Sequence, residues 1–320
     1  MLAAVFAGCG ASNQPSNTNG SESKSTGEIK VVTTIFPIYD WIREVARDDV
    51  HINLDMLLDN GVDLHSYQPT AKDIMSISDC DMFIYVGGES DKWVSETLEQ
   101  AQNKNMVVLN LMDILGSNAK EEEVVEGMQE HEHEHQEGEE EHEYDEHVWL
   151  SLKNAQLFVQ KIADALAKVD SEHADAYHTN ADAYSKQLDA LDAQYQQAVN
   201  GAAVKTLLFG DRFPFRYLTD DYGLSYYAAF SGCSAESEAS FETISFLANK
   251  TDELGLKAIM QIETSDGSIA KTVRDNTKTK DQTILTLDSL QGVTADRVKN
   301  GETYLSIMES NLGVLKQAIA

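Results

Sequence analysis

Nine histidines occur in the 320 residues, at positions 51, 65, 131, 133, 135, 142, 147, 173 and 178. Imidazole is a metal ligand and a proton carrier near neutral pH, so their placement narrows where chemistry can occur. None lies after residue 178. His65 stands in Gly61-Val62-Asp63-Leu64-His65-Ser66-Tyr67-Gln68-Pro69-Thr70, just beyond a predicted strand. His147 stands in Asp145-Glu146-His147-Val148-Trp149-Leu150, where an acidic tract turns back into foldable sequence. Taken singly, each also reads as a loop histidine bonded to a backbone carbonyl. His131, His133 and His135 alternate with glutamate, and His142 follows. Nitrogen donors in that pattern suit loose collection of zinc better than manganese; the plain alternative is a solvated low-complexity tract.

The elements that must position these groups are read from hydrophobic period. Apolar runs at 30–34, 52–57, 82–86 and 106–111 read as strands. Between them, Ile38, Trp41, Ile42 and Val45 share one helical face, Thr70 caps a helix to residue 78, and another helix covers 93–102. Strand–helix alternation predicts a parallel, doubly wound sheet. It stops at the acidic tract 120–146, which has too few apolar residues to fold and is assigned as a loop. A helix over 154–169 follows. A second, over 171–200, carries Tyr177, Ala181, Tyr184, Leu188, Leu191 and Tyr195 on one face and is long enough to pass along two domains. Strands at 204–209, 225–230, 258–262 and 283–287 and a last helix at 303–318 complete a second lobe. The fold class is therefore α/β: two doubly wound lobes joined by a long rigid helix, with a cleft between them. The domains are 28–170 with the loop, the connecting helix 171–200, and 201–320.

The balance of 24 basic against 54 acidic residues gives a formal charge of −30, which repels phosphate backbones and anionic membranes and argues against nucleic acid as a partner. GxSxG and glycine-rich phosphate motifs are missing from the sequence, and HExxH occurs only as the alternating His-Glu run 131–135 inside the low-complexity tract. A catalytic zinc needs an open water position and a general base; nothing here specifies them, and the chain is read as a non-enzyme.

Taken in order, the motifs carry a resemblance. Thr33-Thr34-Ile35-Phe36-Pro37-Ile38-Tyr39, Leu64-His65-Ser66-Tyr67-Gln68-Pro69-Thr70, a His-rich loop, Glu146-His147-Val148-Trp149-Leu150, Phe209-Gly210-Asp211 and Leu287-Asp288-Ser289 resemble the zinc- and manganese-binding solute receptors of ABC importers. The resemblance implies a metal site in the interlobe cleft with two ligands from each lobe: His65 and His147 from the first, Asp288 and a further residue from the second. Asp211 is nearest to that last position but one residue out of register; as a ligand it needs a small bulge, and otherwise it binds through water or pairs with Arg212. Two imidazoles and two carboxylates suit Zn(II), Mn(II) or Fe(II) and disfavour Cu(I). The His-rich loop points to Zn(II), with Mn(II) the alternative. Glu263, after the strand 258–262, is read either as a group orienting a ligand or as an ordinary acid at a helix start. The resemblance further implies an ABC permease as partner and a monomeric receptor that captures metal, with a surface adhesin as the alternative.

At the N-terminus, Phe6-Ala7-Gly8-Cys9 followed by a polar stretch to Gly27 resembles the tail of a lipoprotein signal peptide, with Cys9 the lipidated residue. Residues 1–27 are accordingly read as a truncated signal and flexible linker, and the location as extracytoplasmic and anchored to the bacterial membrane. Cys80 and Cys233 then remain, either as one disulfide or as two buried thiols.

Overall fold

The computed structural model describes residues 28–47, 51–129, 143–234 and 238–320. In the first lobe the chain runs β1 (Ile29–Thr33), α1 (Phe36–Ala46), β2 (Ile52–Met56), α2 (Ala71–Asp79), β3 (Met82–Tyr85), α3 (Trp93–Gln100), β4 (Val107–Asn110) and a short α4 (Leu111–Leu115). Next come α5 (Leu152–Val169) and α6 (Ala174–Asn200). The second lobe follows as β5 (Thr206–Phe213), α7 (Arg216–Tyr222), β6 (Ser225–Ser231), α8 (Phe241–Leu254), β7 (Ala258–Ile262), α9 (Ser268–Asn276), β8 (Thr283–Leu287), α10 (Ala295–Lys299) and α11 (Tyr304–Ala318).

Each lobe is a four-stranded parallel sheet. The orders are β2-β1-β3-β4 and β6-β5-β7-β8, the same winding twice. Winding reverses direction beside β1 and beside β5, so the loops at the carboxyl ends of these strands open a crevice. All the strands and principal helices expected from the period of the sequence are present, displaced by a few residues at their ends. Local chemistry explains several boundaries. Pro37 sits in the first turn of α1, where its missing N–H costs nothing. Thr70 and Asp73 cap each other reciprocally at the start of α2, and Ser151 caps α5.

The 27 residues of α6 extend about 40 Å at 1.5 Å per residue. Its buried face holds Tyr177, Ala181, Tyr184, Leu188, Leu191, Tyr195 and Val199. The lobes share a core rather than meeting at a hinge. One continuous buried cluster runs from Val31, Trp41 and Phe158 to Phe209, Leu287 and Tyr304. Hydrogen bonds cross the same boundary: Trp149 Nε1–H donates to the Ser289 carbonyl (2.9 Å), Tyr304 O–H to the Trp149 carbonyl (2.7 Å), and Tyr304 N–H to buried Asp40 (2.7 Å). Among the described residues no helix is long and apolar enough to cross a membrane.

Candidate metal centre

His65 belongs to a single 3-10 turn, Leu64–Ser66, after β2. Asp63 caps that turn, its Oδ1 accepting the His65 N–H at 2.9 Å. His147 stands at the start of another such turn, Val148–Leu150, leading into α5. Its ring is fully buried. The two imidazoles meet edge to edge at the cleft, Nε2 to Nε2, 3.1 Å apart.

Each ring is oriented from behind. His147 Nδ1 lies 3.0 Å from Asp145 Oδ1, which also accepts the His147 backbone N–H at 2.8 Å. His65 Nδ1 lies 2.8 Å from Ser90 Oγ and 3.5 Å from Glu146 Oε2. Ser90 is fixed in turn by its own N–H, which donates to Glu146 Oε1 at 2.9 Å. The Asp145 carboxylate on Nδ1 of His147 selects the tautomer that turns the Nε2 lone pair toward a cation, and the Ser90 hydroxyl, which can donate or accept, serves either tautomer of His65.

From the second lobe comes Cys233, just past the carboxyl end of β6. Donor atoms of His65, His147 and Cys233 all lie within 4.8 Å of one another, and they form the one such convergent group of three or more potential ligands among the described residues. The Cys233 loop is fastened from two sides. Its N–H donates to Glu122 Oε1 at 3.2 Å, and the adjoining Ser234 carbonyl accepts from Arg212 Nη1 at 3.1 Å. Cys80 is buried at the end of α2 in the first lobe, and both thiols are free. The disulfide considered from sequence is therefore corrected: the two cysteines belong to different lobes, and one of them faces the histidine pair.

Asp211 and Asp288 do not join that group. The bulge that Asp211 needs is present, a register shift in β5 between Phe209 and Arg212. Gly210 permits it, because a β-carbon there would stand 2.5 Å from the Ala270 Cα of α9. The bulge turns the carboxylate inward: Oδ2 accepts the buried Ile262 N–H (3.1 Å) and Oδ1 the Arg212 N–H (2.8 Å). Arg212 ion-pairs with Asp63, not with Asp211. Asp288 is held by Arg297 Nη2 at 2.7 Å and by the Leu290 N–H at 2.8 Å. Glu263 fastens the loop that carries Asp288, accepting from Ser289 N–H, Ser289 Oγ–H and Gly292 N–H at 2.7–3.0 Å. Cys9, His131, His133, His135 and His142 lie outside the described residues.

Burial and neighbouring charges set the electrostatics of the three donors. Burial, reinforced by the facing His147, pushes His65 down to about 3, so this ring stays neutral. For His147 burial also favours the neutral ring, but the Asp145 carboxylate and then Glu146 overcome it and raise its pKa. Burial drives the Cys233 thiol well above its usual value, and the charges of Asp145, Glu122 and Glu146 add to this. A divalent cation reverses that logic: it displaces the thiol proton and turns a disfavoured thiolate into a ligand. Two imidazoles and one thiolate form a donor set of zinc type.

A family model described as zinc-uptake complex component A, periplasmic, matches residues 31–318. The zinc-binding lipoprotein AdcA of Streptococcus pneumoniae is 32% identical over 298 residues, covering 93% of this chain and 57% of its own length. The high-affinity zinc uptake system protein ZnuA of Bacillus subtilis is 30% identical over 324 residues, covering all of this chain and 96% of its own. The crystal structure of Zn(II)-bound AdcA from S. pneumoniae superposes with a TM-score of 0.72 at 29% identity, over 92% of this chain and 58% of that one. The chain thus spans a little over half the length of AdcA and nearly all of the B. subtilis protein.

Proposed function

The chain belongs to the ZnuA family of zinc-uptake components, and from that premise we propose that it is an extracytoplasmic receptor that captures Zn(II) between its lobes and presents it to an ABC permease. The observation that carries this reading is the convergence of His65 and His147 with Cys233, their donor atoms within 4.8 Å at the carboxyl ends of two parallel sheets. His65 and His147 supply neutral nitrogens, and Cys233 supplies a thiolate from the opposite lobe. The thiolate favours zinc over manganese, which prefers oxygen donors.

The role is capture, without chemical change of the ion. The lobes share one core, so loading and release require shifts of the ligand-bearing loops, not wide separation. The anchor at Cys9 and the collecting role of the His-rich tract are parts of the same proposal and follow from sequence. Isothermal titration with Zn(II) and Mn(II) tests it. One tightly bound zinc per chain, lost in His147→Ala and not displaced by manganese, is the expected result. A chain that prefers manganese contradicts the zinc assignment.

A further inference from the structure

Arg212 is a cation at the mouth of a strongly acidic cleft, one residue from a predicted ligand, and it is not itself a metal donor. Its guanidinium joins two places in the site. Nη2 meets Asp63 Oδ2 at 2.6 Å, with both side chains only 16% exposed. Nη1 donates to the Ser234 carbonyl at 3.1 Å. Asp63 is the residue whose other oxygen caps the His65 turn, and Ser234 is the neighbour of Cys233. One planar fork therefore ties the loop carrying a first-lobe ligand to the loop carrying the second-lobe ligand. Both ties lie beside a cavity of about 380 Å³ lined by Asp63, Ser66, Arg212, Ser234 and Asp266.

The shared core holds the sheets together and reaches the His65 turn through Leu64, whereas residues 232–234 contribute nothing to it. A metal held by donors from both loops leaves when the loops part. We propose that Arg212 is a positioning residue that clamps the His65 and Cys233 loops together and sets the rate at which bound zinc is released. This rests on the zinc-receptor reading above. The fork geometry is essential to it: a lysine carries the charge and three donors, but on one compact ammonium without the rigid planar fork that spans two separated acceptors.

The test is stopped-flow release of zinc from the loaded 320-residue chain into excess chelator, alongside thermal melts of the metal-free protein. Arg212→Gln is expected to release zinc roughly 10–100-fold faster, the range found when groups that orient metal ligands are removed. Arg212→Lys is expected to fall between the two. The metal-free melting temperature is expected to fall as well in Arg212→Gln, because removing one partner of a mostly buried ion pair leaves the Asp63 carboxylate uncompensated, so the release rate is the deciding readout. If Arg212→Gln does not fold, Arg212→Lys decides, with faster release supporting the clamp. Release at the wild-type rate in the folded variants overturns it, including the case in which only the melting temperature falls. Failure of the wild type to take up zinc at all would refute the receptor reading instead, so the two failures are distinguishable.

Discussion

The His147 ring lies directly against Gly232: a β-carbon built on that glycine would stand 2.9 Å from Cε1 and 3.1 Å from Nδ1. The same β-carbon would stand 2.9 Å from the Phe213 carbonyl, so it cannot swing aside. The absence of a side chain at 232 is what lets the loop after β6 bring Cys233 up to a buried histidine of the other lobe.

Gly232→Ala is accordingly expected to push the Cys233 loop away from His147 and weaken zinc binding by roughly tenfold or more, since ligand placement tolerates little displacement. Titration calorimetry of the variant checks this. Wild-type affinity would mean that Cys233 does not depend on this approach.

Cys233→Ser is expected to lower zinc affinity by more than the roughly 10–100-fold attributed to an orienting partner, and to narrow the preference for zinc over manganese, because the soft donor is gone. Cobalt(II) substituted into the wild type should show thiolate-to-metal charge transfer in the near ultraviolet. The variant should lack it, and an unchanged spectrum would remove the thiolate from the site.

Asp211→Ala separates a ligand from a structural carboxylate. Its oxygens satisfy the Ile262 and Arg212 N–H groups, and leaving a buried N–H unpaired costs about 1–3 kcal/mol. Denaturant unfolding is expected to show that loss while zinc affinity stays within about threefold, an interaction change below 1 kcal/mol. A large fall in affinity would return Asp211 to the metal.

Asp40 gives a pH signature away from the site. Burial pushes its carboxyl up to about 6 against an ordinary 3.8, although it accepts the Tyr304 N–H. The folded state therefore binds the proton more tightly than the unfolded state. Stability falls as pH rises through the window between those values, by about 3 kcal/mol for this group. Urea unfolding of the metal-free protein at pH 4 and pH 7 should show Asp40→Asn gaining on the wild type by that order. A gap independent of pH would contradict the shift.

Much of this architecture was legible in the residues. Val31-Val32-Thr33, Met82-Phe83-Ile84 and Ala258-Ile259-Met260 are short apolar runs of parallel-strand type, and the helical faces around Trp41 and Tyr184 follow a 3.6 period. His65 and His147 stood out because each lies where an element begins or ends, in an ordered series of motifs. Cys233 did not. Cys233 lies in Ser231-Gly232-Cys233-Ser234, just past a strand end, and that position together with the glycine was the available signal. A cysteine there reads equally as a half-cystine or a buried thiol, and only the apposition of the lobes brings it to His147. The bulge that Asp211 needs is present, but it turns the carboxylate toward β7, which no feature of the sequence signals.

The most direct measurement is X-ray absorption at the zinc edge of the loaded 320-residue chain. The account predicts one sulfur neighbour at about 2.3 Å and two imidazole nitrogens at about 2.0–2.1 Å, with the sulfur lost in Cys233→Ser. A shell of nitrogen and oxygen alone in the wild type would contradict the His65–His147–Cys233 centre.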